Sequence, residues 1–320
     1  MPIFPQNVIA VIWDFDKTLI PGYMQKPLFE HFDIDPIQFW TESDGLARFY
    51  EGRGARRTNG DTLYLNHILT YVEAGRMPGL DNDLLRELGG ELSFYEGMPE
   101  FLGHLSKHVE GYPGYADHGI TVEHYVISSG LRHMILGSAV APFLDGVWAC
   151  EFSEEIAQPD YLDSGQMFAG DERRIREIVY TIDNTTKTRA VFEINKGSNR
   201  NPDIDVNAKI AREDRRIPFR NMIYVADGPS DVPVFSVVDQ NGGKTFAVYR
   251  PGSATEFEQV NRLLEQDRID AYGPADYTDG SQTAMCLTHA VERIADQIVR
   301  DRSTALADRL GAPPGHLSED

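Results

Sequence analysis

Residues 8–18 read VIAVIWDFDKT, and this stretch decides the fold. An unbroken apolar run of this kind is typical of a parallel β-strand that is buried on both faces. It ends abruptly in Asp14, with Asp16 and Thr18 at the next alternate positions. Open α/β sheets place their ligand sites at the carboxyl ends of the strands, which is where these two carboxylates fall. Charges so close to a core are costly unless a partner neutralises them, and the usual partner of carboxylates is a hard cation, with Mg²⁺ the first choice.

The composition is that of an ordinary globular protein, with 320 residues that are 41% hydrophobic and 25% charged. The formal net charge of −20 makes a surface that repels nucleic acids and anionic membranes, so we expect neither as a partner. No signal peptide and no membrane span are expected from the sequence. Cys150 and Cys286 are the only cysteines, and two cysteines make no disulfide framework. We therefore expect a cytoplasmic enzyme. The sequence does not define its oligomeric state.

Further apolar runs repeat the pattern of the first, and helical patterns lie between them. The candidate strands cover residues 124–127, 147–152, 221–226 and 245–249. The candidate helices cover residues 98–109, 132–137, 188–195, 231–238, 254–265 and 281–310. Strands that alternate with helices indicate βαβ units, so we predict an α/β protein whose core is a doubly wound, Rossmann-like parallel sheet.

One region breaks this alternation, because it contains helix patterns and no convincing strand. We interpret it as a smaller, all-helical cap domain that is inserted after the first strand and lies over the carboxyl end of the sheet. Its candidate helices cover residues 36–50, 61–74 and 82–92. The predicted boundaries are 1–20 and 97–310 for the core domain, 21–96 for the cap and 311–320 for a frayed tail rich in Pro and Gly.

Polar clusters follow three of the apolar runs, and a parallel sheet would bring them to one edge. The clusters are Asp14/Asp16/Thr18, Ser128/Ser129/Gly130 and Asp227/Gly228/Asp231. Lys187 is a fourth element, at the predicted start of a helix for which Thr186 is a plausible N-cap. Together these groups suit a phosphoryl group. A metal and a lysine neutralise its oxygens, a hydroxyl and backbone N–H groups hold them, and a carboxylate can attack phosphorus.

On these residues the sequence resembles the haloacid dehalogenase superfamily of phosphohydrolases, over residues 8–240. All four family motifs occur in order. They are the DxDxT motif at residues 14–18, the strand-end Ser128, the lysine Lys187 and the acidic loop at residues 227–231. Ala226 stands where the family usually has glycine, which is a minor departure because alanine is also small. The predicted helical insertion resembles the family's type 1 cap, as in its phosphoserine phosphatases.

The resemblance implies a role for each acid. Asp14 would be the nucleophile that forms a phospho-aspartate and would bind the metal. Asp16 would be the general acid and base, and its backbone carbonyl would bind Mg²⁺. Asp227 would bind Mg²⁺ through its side chain, and Asp231 would support the metal site directly or through water.

The resemblance also implies the groups that bind phosphate. Ser128 and Lys187 would contact the phosphoryl oxygens, and Gly130 would also bind the phosphate. Ser129 is an alternative to Ser128, and Lys196 to Lys187, although Lys196-Gly197 reads as a helix end, where a cation is favourable anyway. Thr18 would brace the turn after the nucleophile.

An aspartate at position 16 favours phosphate esters, since family members that cleave carbon–halogen or carbon–phosphorus bonds lack it. The implied activity is that of a phosphoric monoester hydrolase, with Mg²⁺ as cofactor and a small phosphorylated metabolite as substrate. Two alternatives stay open. One is a phosphotransferase or mutase that uses the same phospho-enzyme, and the other is a non-catalytic protein that binds small molecules.

The predicted cap offers few signals of specificity. Relatives that act on phosphoserine tend to carry an acid shortly after the first motif, and residues 19–29 contain none, which counts against phosphoserine. A basic cluster could recognise a second anionic group or form a solvated loop; it consists of Arg48, Arg53, Arg56 and Arg57. Aromatic residues could line a pocket, although forming the cap's own core is more common; they are Tyr23, Phe39, Trp40, Tyr50 and Tyr64.

Overall fold

A seven-stranded sheet forms the centre of the molecule in the computed structural model, which describes residues 4–164, 167–168 and 173–310. The predicted tail, residues 311–320, lies outside the described residues. The strands are β1 Val8–Trp13, β2 Thr121–Leu131, β3 Gly146–Ser153, β4 Ile156–Ala157, β5 Met167–Phe168, β6 Glu177–Tyr180, β7 Met222–Ala226, β8 Lys244–Tyr249 and β9 Ala271–Pro274. Strands β4 and β5 pair only with each other, as a small antiparallel ribbon.

The strand order of the sheet is β6-β3-β2-β1-β7-β8-β9. Neighbouring strands are parallel, apart from β3 and β6. From β1 the chain builds outward to β3 on one side, and it then crosses back to build β7, β8 and β9 on the other. The order therefore reverses between β1 and β7. In open α/β sheets the crevice at this reversal, outside the carboxyl ends of the strands, is where ligands bind.

Helices cover both faces of the sheet and also form the segment that follows β1. The helices of the described residues are α1 Lys26–His31, α2 Pro36–Glu51, α3 Leu63–Glu73, α4 Asn82–Gly89, α5 Glu100–Glu110, α6 Pro113–Ala116, α7 Arg132–Gly137, α8 Tyr161–Ser164, α9 Thr186–Lys196, α10 Val232–Gln240, α11 Ala254–Glu265 and α12 Gln282–Leu310. Helices α5 and α12 pack on each other and on β2 and β1, while α9 and α10 pack on each other and on β2 and β7. Because the chain runs in opposite directions from β1 in its two halves, the connecting helices lie on the two faces of the sheet.

The first strand is the centre of the core, as its apolar run predicts. Residues from Ile9 to Trp13 have no exposed surface, because β1 lies between two parallel neighbours and under helices on both faces. Each fully buried large apolar side chain of this kind contributes about 1.5–3 kcal/mol relative to an exposed one. The apolar run thus fixes the end of β1, and with it the position of Asp14.

The segment between β1 and α5 contains helices α1 to α4 and no strand, in agreement with the predicted helical cap. Its aromatic residues pack mainly on one another. Ring centroids lie 4.7 Å apart for Phe29 and Phe39, 5.4 Å for Phe39 and Trp40, and 5.8 Å for Trp40 and Tyr64. The fold expected from the resemblance to the haloacid dehalogenase superfamily, a doubly wound sheet with a helical cap after the first strand, is confirmed.

Some elements differ from the predicted pattern. Strands β6 and β9 were not expected from the sequence, because β6 is a short edge strand with exposed side chains and β9 is interrupted by glycine and proline.

Helix α9 begins at Thr186, so the expectation that Thr186 is an N-cap is wrong. Asp183 serves the helix start instead, and its Oδ1 accepts hydrogen bonds from the backbone N–H groups of Thr185 (2.9 Å) and Thr186 (2.7 Å). A carboxylate there accepts charge-assisted bonds and lies at the positive end of the helix dipole.

Candidate active site

Three carboxylates meet at the crevice between β1 and β7. Asp14 follows β1, Asp227 follows β7, and Asp231 lies just before α10. One carboxylate oxygen from each of them lies within 4.8 Å of the others. The Asp14 N–H donates to Val225 O at 2.8 Å, which continues the β1–β7 pairing and fixes the nucleophile candidate against the neighbouring strand. Parallel pairing thus brings together acids that lie more than 200 residues apart in sequence.

Lys187 links two of these acids. Its Nζ lies 2.8 Å from Asp14 Oδ1 and 2.7 Å from Asp231 Oδ1, and the lysine is 2% exposed. Asp231 also accepts hydrogen bonds from the Tyr224 hydroxyl (2.6 Å, to Oδ1) and from Ser230 Oγ (2.8 Å, to Oδ2). Asp231 is therefore a fully buried acid whose two oxygens both hold hydrogen bonds, and its most direct effect is to fix the lysine.

Burial and mutual repulsion dominate the electrostatics of the site. Burial, reinforced by the Asp231 charge and opposed by Lys187, raises the pKa of Asp14 to about 6. Burial and the charges of Asp14 and Asp231 raise the pKa of Asp227 to about 7. Burial lowers the pKa of Lys187, but Asp14 and Asp231 outweigh it and hold that pKa above its usual range. The negative charge of the carboxylates therefore exceeds the positive charge beside them, so a further cation at the site would be stabilised.

The donor set fits a hard divalent cation. Carboxylate oxygens are the ligands that Mg²⁺ and Ca²⁺ take in proteins, and here three converge, of which Asp14 and Asp227 line the cavity. The carboxylate of Asp227 is half-buried, lines the cavity and accepts no hydrogen bond within the described part of the chain. A partly buried carboxylate that no donor contacts is costly, so a cation beside Asp227 would supply the missing interaction.

Asp16 stands slightly apart from this group. Its Oδ1 accepts a hydrogen bond from the Met24 backbone N–H at 3.0 Å, and its carboxylate is not one of the three that converge. Burial, followed by the charge of Asp14, raises the pKa of Asp16 well above its usual range. The chain after the turn therefore orients this side chain, and its surroundings favour the protonated acid.

The predicted phosphate-binding residues occupy different positions. Ser128 and Ser129 line the cavity, and Ser128 Oγ accepts a hydrogen bond from the Gly130 N–H at 3.0 Å, so the hydroxyl proton stays available. Gly130 does not line the cavity, and its N–H is already engaged, so the predicted phosphate contact of Gly130 has no support in this geometry. A Cβ at position 130 would lie 2.2 Å from the Met24 methyl carbon, so a larger residue there would require the Met24 side chain to shift.

Thr18 acts through its backbone. Its carbonyl oxygen accepts a hydrogen bond from the buried Tyr277 hydroxyl at 2.7 Å, which ties the turn after β1 to the segment after β9. The Thr18 hydroxyl is buried and has no hydrogen-bond partner within the described residues. The alternative lysine, Lys196, donates to the carbonyls of Val206 and Ala208 and does not line the cavity.

The cavity over these residues has a volume of about 370 Å³ and a mainly polar lining. Several of its lining residues were missed at the sequence level: Lys17, Asp61, Asn184, Pro229, Ser230 and Gln259. Lys17 lies inside the first motif and Ser230 inside the last, so their positions in the motifs were available signals. Asp61, Asn184 and Gln259 lie on separate segments, and nothing in their local sequence marks them.

The basic cluster of the helical insertion does not reach the cavity. Its four arginines are exposed, and Arg53 lies over the Phe49 ring, 3.6 Å from the centroid. Of the aromatic residues considered for a pocket, Tyr23 lines the cavity, whereas Phe39, Trp40 and Tyr64 pack in the insertion's own core. A second cavity, of about 540 Å³, lies between α5 and α12 and borders none of the predicted site residues.

Comparison with known proteins gives one relative of similar length. A protein of Borreliella burgdorferi that is described as an uncharacterized protein is 36% identical over 283 residues, which cover 87% of this chain and 94% of the relative. No model of a known protein family matches the chain.

Solved structures with a similar course of the chain share little sequence with it. A HAD-family hydrolase from Salmonella enterica serovar Typhi is 14% identical, with 84% of this chain and 68% of that chain covered and a TM-score of 0.48. A phospho-aspartyl intermediate analogue of phosphoserine phosphatase is 12% identical, with coverage of 88% of this chain and 99% of that chain and a TM-score of 0.48.

None of the helices in the described part of the chain has the length and apolarity that crossing a membrane requires.

Proposed function

We propose that this chain, which belongs to the same family as the Borreliella burgdorferi protein, is an Mg²⁺-dependent phosphatase that hydrolyses a small phosphomonoester through a phospho-aspartate. The observation that carries the proposal is the convergence of the Asp14, Asp227 and Asp231 carboxylates within 4.8 Å, with the Lys187 ammonium on Asp14. A nucleophile, a cation site and a fixed ammonium at the mouth of one polar cavity are the parts that phosphoryl transfer requires.

Asp14 is the proposed nucleophile. Its pKa of about 6 leaves the carboxylate mostly ionised at neutral pH, and the bond from Lys187 fixes its orientation. A carboxylate oxygen of Asp14 attacks phosphorus, the bond from phosphorus to the ester oxygen breaks, and the phosphoryl group is held on Asp14 as an acyl phosphate. Dividing the hydrolysis into two displacements replaces one difficult step by two easier ones.

Asp16 is the proposed general acid and base. Its raised pKa favours the protonated carboxyl, which can donate its proton to the leaving ester oxygen. The resulting Asp16 carboxylate then takes a proton from the water that attacks the phospho-aspartate, so that phosphate leaves and both acids return to their starting states. The Met24 N–H keeps the side chain oriented through both steps.

The remaining residues are assigned to the phosphoryl oxygens and the cation. The Ser128 hydroxyl, oriented by the Gly130 N–H, donates to a phosphoryl oxygen, with Ser129 beside it, and Lys187 balances the negative charge. Asp14, Asp227 and the Asp16 backbone carbonyl would hold Mg²⁺, and Asp231 would support the site through Lys187. When bound, Mg²⁺ supplies positive charge that neutralises the phosphoryl oxygens.

We assign residues 21–96 to a cap domain over this cavity and the rest of the described chain to the core. Two contacts support a closed arrangement. The Tyr64 hydroxyl of α3 donates to Ser129 O at 2.6 Å, and Asn59 Nδ2 donates to Asp183 Oδ2 at 2.9 Å. A cap that closes in this way excludes water from the phosphoryl group.

We also propose that the protein acts in the cytoplasm, which its acidic composition alone supports.

The test is hydrolysis of p-nitrophenyl phosphate by the full chain with Mg²⁺, with and without a chelator. We expect activity that needs the metal and that falls to background in Asp14→Asn. Asp239→Asn, which changes an exposed acid at the end of α10, is the matched control and should retain activity. Activity that survives both Asp14→Asn and chelation would refute the proposal.

The alternatives give different products. A phosphotransferase or mutase would pass the phosphoryl group to an added alcohol, such as glycerol, in preference to water, and product analysis by phosphorus NMR separates the two. A non-catalytic binding protein would bind Mg²⁺ and phosphate esters without turnover across a broad panel of phosphorylated metabolites. The pairing of Lys187 with Asp14 supports the catalytic assignment, because a binding protein has no need of an oriented nucleophile.

A further inference from the structure

We propose that Lys17 determines specificity by binding a carboxylate of the substrate, so that the substrate class is a small phosphomonoester whose alcohol part carries a carboxylate. This inference rests on the proposed function, because it concerns the leaving-group side of the same cavity. Lys17 occupies the position between Asp16 and Thr18 and lines the cavity with its half-buried side chain. Nothing in the proposed chemistry on Asp14 requires a second lysine there.

The backbone at Lys17 is held in an uncommon conformation. Its φ of +59° lies in the left-handed region, which is unfavourable for a residue with a long side chain. The Lys17 N–H donates to Gly22 O at 3.1 Å, which closes the turn after β1. Such strain concentrates at functional sites because the surrounding structure must maintain it. The turn places the lysine next to the catalytic acids.

Lys17 is the cation that is available for a substrate. Among the described residues that line the cavity, Lys17 and Lys187 carry the positive charges, and the Lys187 ammonium already donates to Asp14 and Asp231. The Lys17 ammonium forms no ion pair with a carboxylate in the described part of the chain. It donates to the Tyr23 hydroxyl at 2.9 Å and lies 4.5 Å from the centroid of that ring. An ammonium has three N–H groups, so two remain for a ligand.

The neighbouring charges favour a carboxylate over a second phosphate. Asp227 and Glu256 act electrostatically on Lys17, and Asp61 lines the same cavity. A carboxylate adds one negative charge opposite one ammonium, whereas a second phosphate would add up to two against these acids. The side-chain amides of Asn184 and Gln259 also line the cavity and can donate to the second carboxylate oxygen. The volume of about 370 Å³ limits the substrate to a small molecule.

The test compares two probes that differ in one group. Glycerol 3-phosphate and 3-phosphoglycerate share the phosphate ester and the three-carbon chain, and in the second a carboxylate replaces a neutral hydroxymethyl group. Two ratios between the probes are measured with Mg²⁺ present: kcat/KM on the active chain and Kd on Asp14→Asn by calorimetry. A charge-assisted contact predicts a preference of about tenfold or more for 3-phosphoglycerate.

The variants at position 17 then assign the preference to one side chain. In Lys17→Met and Lys17→Gln we expect the preference to fall below about threefold, mainly through KM, whereas Lys17→Arg keeps most of it. Lys26→Met is the matched control, since Lys26 is an exposed lysine of α1 that pairs with Glu30 at 3.7 Å and does not line the cavity. It should leave the preference unchanged.

The outcomes separate this inference from the proposed function. Hydrolysis of both probes without a preference, or a preference that Lys17→Met and Lys17→Gln retain, would overturn the role of Lys17 and leave the phosphatase standing. A Kd preference that depends on Lys17, in a protein that hydrolyses neither probe nor p-nitrophenyl phosphate, would support the role of Lys17 and overturn the phosphatase.

Discussion

The Lys187 ammonium lies 2.8 Å from Asp14 Oδ1, although 173 residues separate the two in sequence. The same ammonium lies 2.7 Å from Asp231 Oδ1. Helix α9 carries the lysine to the carboxyl edge of β1, and the Asp183 carboxylate fixes the start of that helix. The site therefore depends on a buried network in which the Lys187 ammonium fixes the positions of two acids.

Loss of the Lys187 charge should destabilise the protein when no metal is present. Lys187→Met leaves Asp14 and Asp231 buried without their cation, and breaking a buried ion pair in this way costs about 3–5 kcal/mol. Urea unfolding in the presence of a chelator measures the loss. Mg²⁺ should restore part of the stability of Lys187→Met, because a dication replaces some of the missing positive charge. An unfolding free energy equal to that of the control Lys26→Met would contradict the network.

The Tyr224 hydroxyl should matter through Asp231. Tyr224→Phe removes a buried hydrogen bond of 2.6 Å to a charged acceptor, and such bonds contribute about 1.5–3 kcal/mol. We expect a loss of this size in urea unfolding together with a lower kcat, since Lys187 loses a well-fixed partner. Tyr180→Phe on the exposed face of β6 is the control. If Tyr224→Phe were as stable and as active as Tyr180→Phe, the tyrosine would have no part in positioning the lysine.

Asp16→Asn should slow hydrolysis of the phospho-enzyme more than its formation. p-Nitrophenolate leaves without needing a proton, so formation of the phospho-enzyme is affected less than its hydrolysis, for which Asp16 is the base. We expect kcat to fall by about 10²–10⁴-fold and the phospho-enzyme to accumulate at steady state. Intact-protein mass spectrometry after an acid quench measures that population. A slow variant that accumulates no phospho-enzyme would mean that Asp16 does not activate the water.

The buried His124 should make stability depend on pH. Its Nδ1 accepts from Trp13 Nε1 at 3.3 Å and its Nε2 lies 3.0 Å from Leu102 O, an arrangement that suits a neutral ring. Burial lowers the pKa of His124 from 6.5 to about 4. As the pH falls below about 6.5 the unfolded chain takes up the proton and the folded one does not, so stability decreases by about 3 kcal/mol down to pH 4.

The comparison variant for this pH dependence is His124→Gln, which has no proton to gain in this range. Its unfolding free energy should fall by about 3 kcal/mol less than that of the wild type between pH 6.5 and 4. The difference between the two pH slopes is the readout, so a constant loss of stability in the variant does not affect it. Parallel slopes would show that His124 is not buried as a neutral ring.

The central strands and the convergence of the acids at their carboxyl ends were predictable because they depend on local patterns. The run before Asp14 and the run before Asp227 are both apolar enough to be strands buried on two faces. The carboxyl ends of parallel strands meet at one edge, so the two acids were expected to converge. Of the two candidate lysines, Lys187 contacts Asp14, whereas Lys196 lies at a helix end as its sequence indicates, next to Gly197 with its left-handed φ of +87°.

The rest of the cavity was not predictable, because it depends on where side chains from distant segments point. Asp61 and Gln259 reach the cavity from the helical insertion and from α11, and no local pattern marks either residue. Gln259 lies against Gly228, where a Cβ would approach its Nε2 to 2.4 Å. Of the two interpretations of the basic cluster, the solvated loop agrees with the structure, because its four arginines are exposed and do not line the cavity.

The central claim is that Asp14 accepts the phosphoryl group. The most direct measurement is to quench the full chain with acid during turnover of p-nitrophenyl phosphate, reduce acyl phosphates with borohydride and locate the modified residue by peptide mass spectrometry. The account predicts that Asp14 alone is converted to homoserine, and only when Mg²⁺ and substrate are both present. Turnover with an unmodified Asp14, or with the label on another residue, would contradict it.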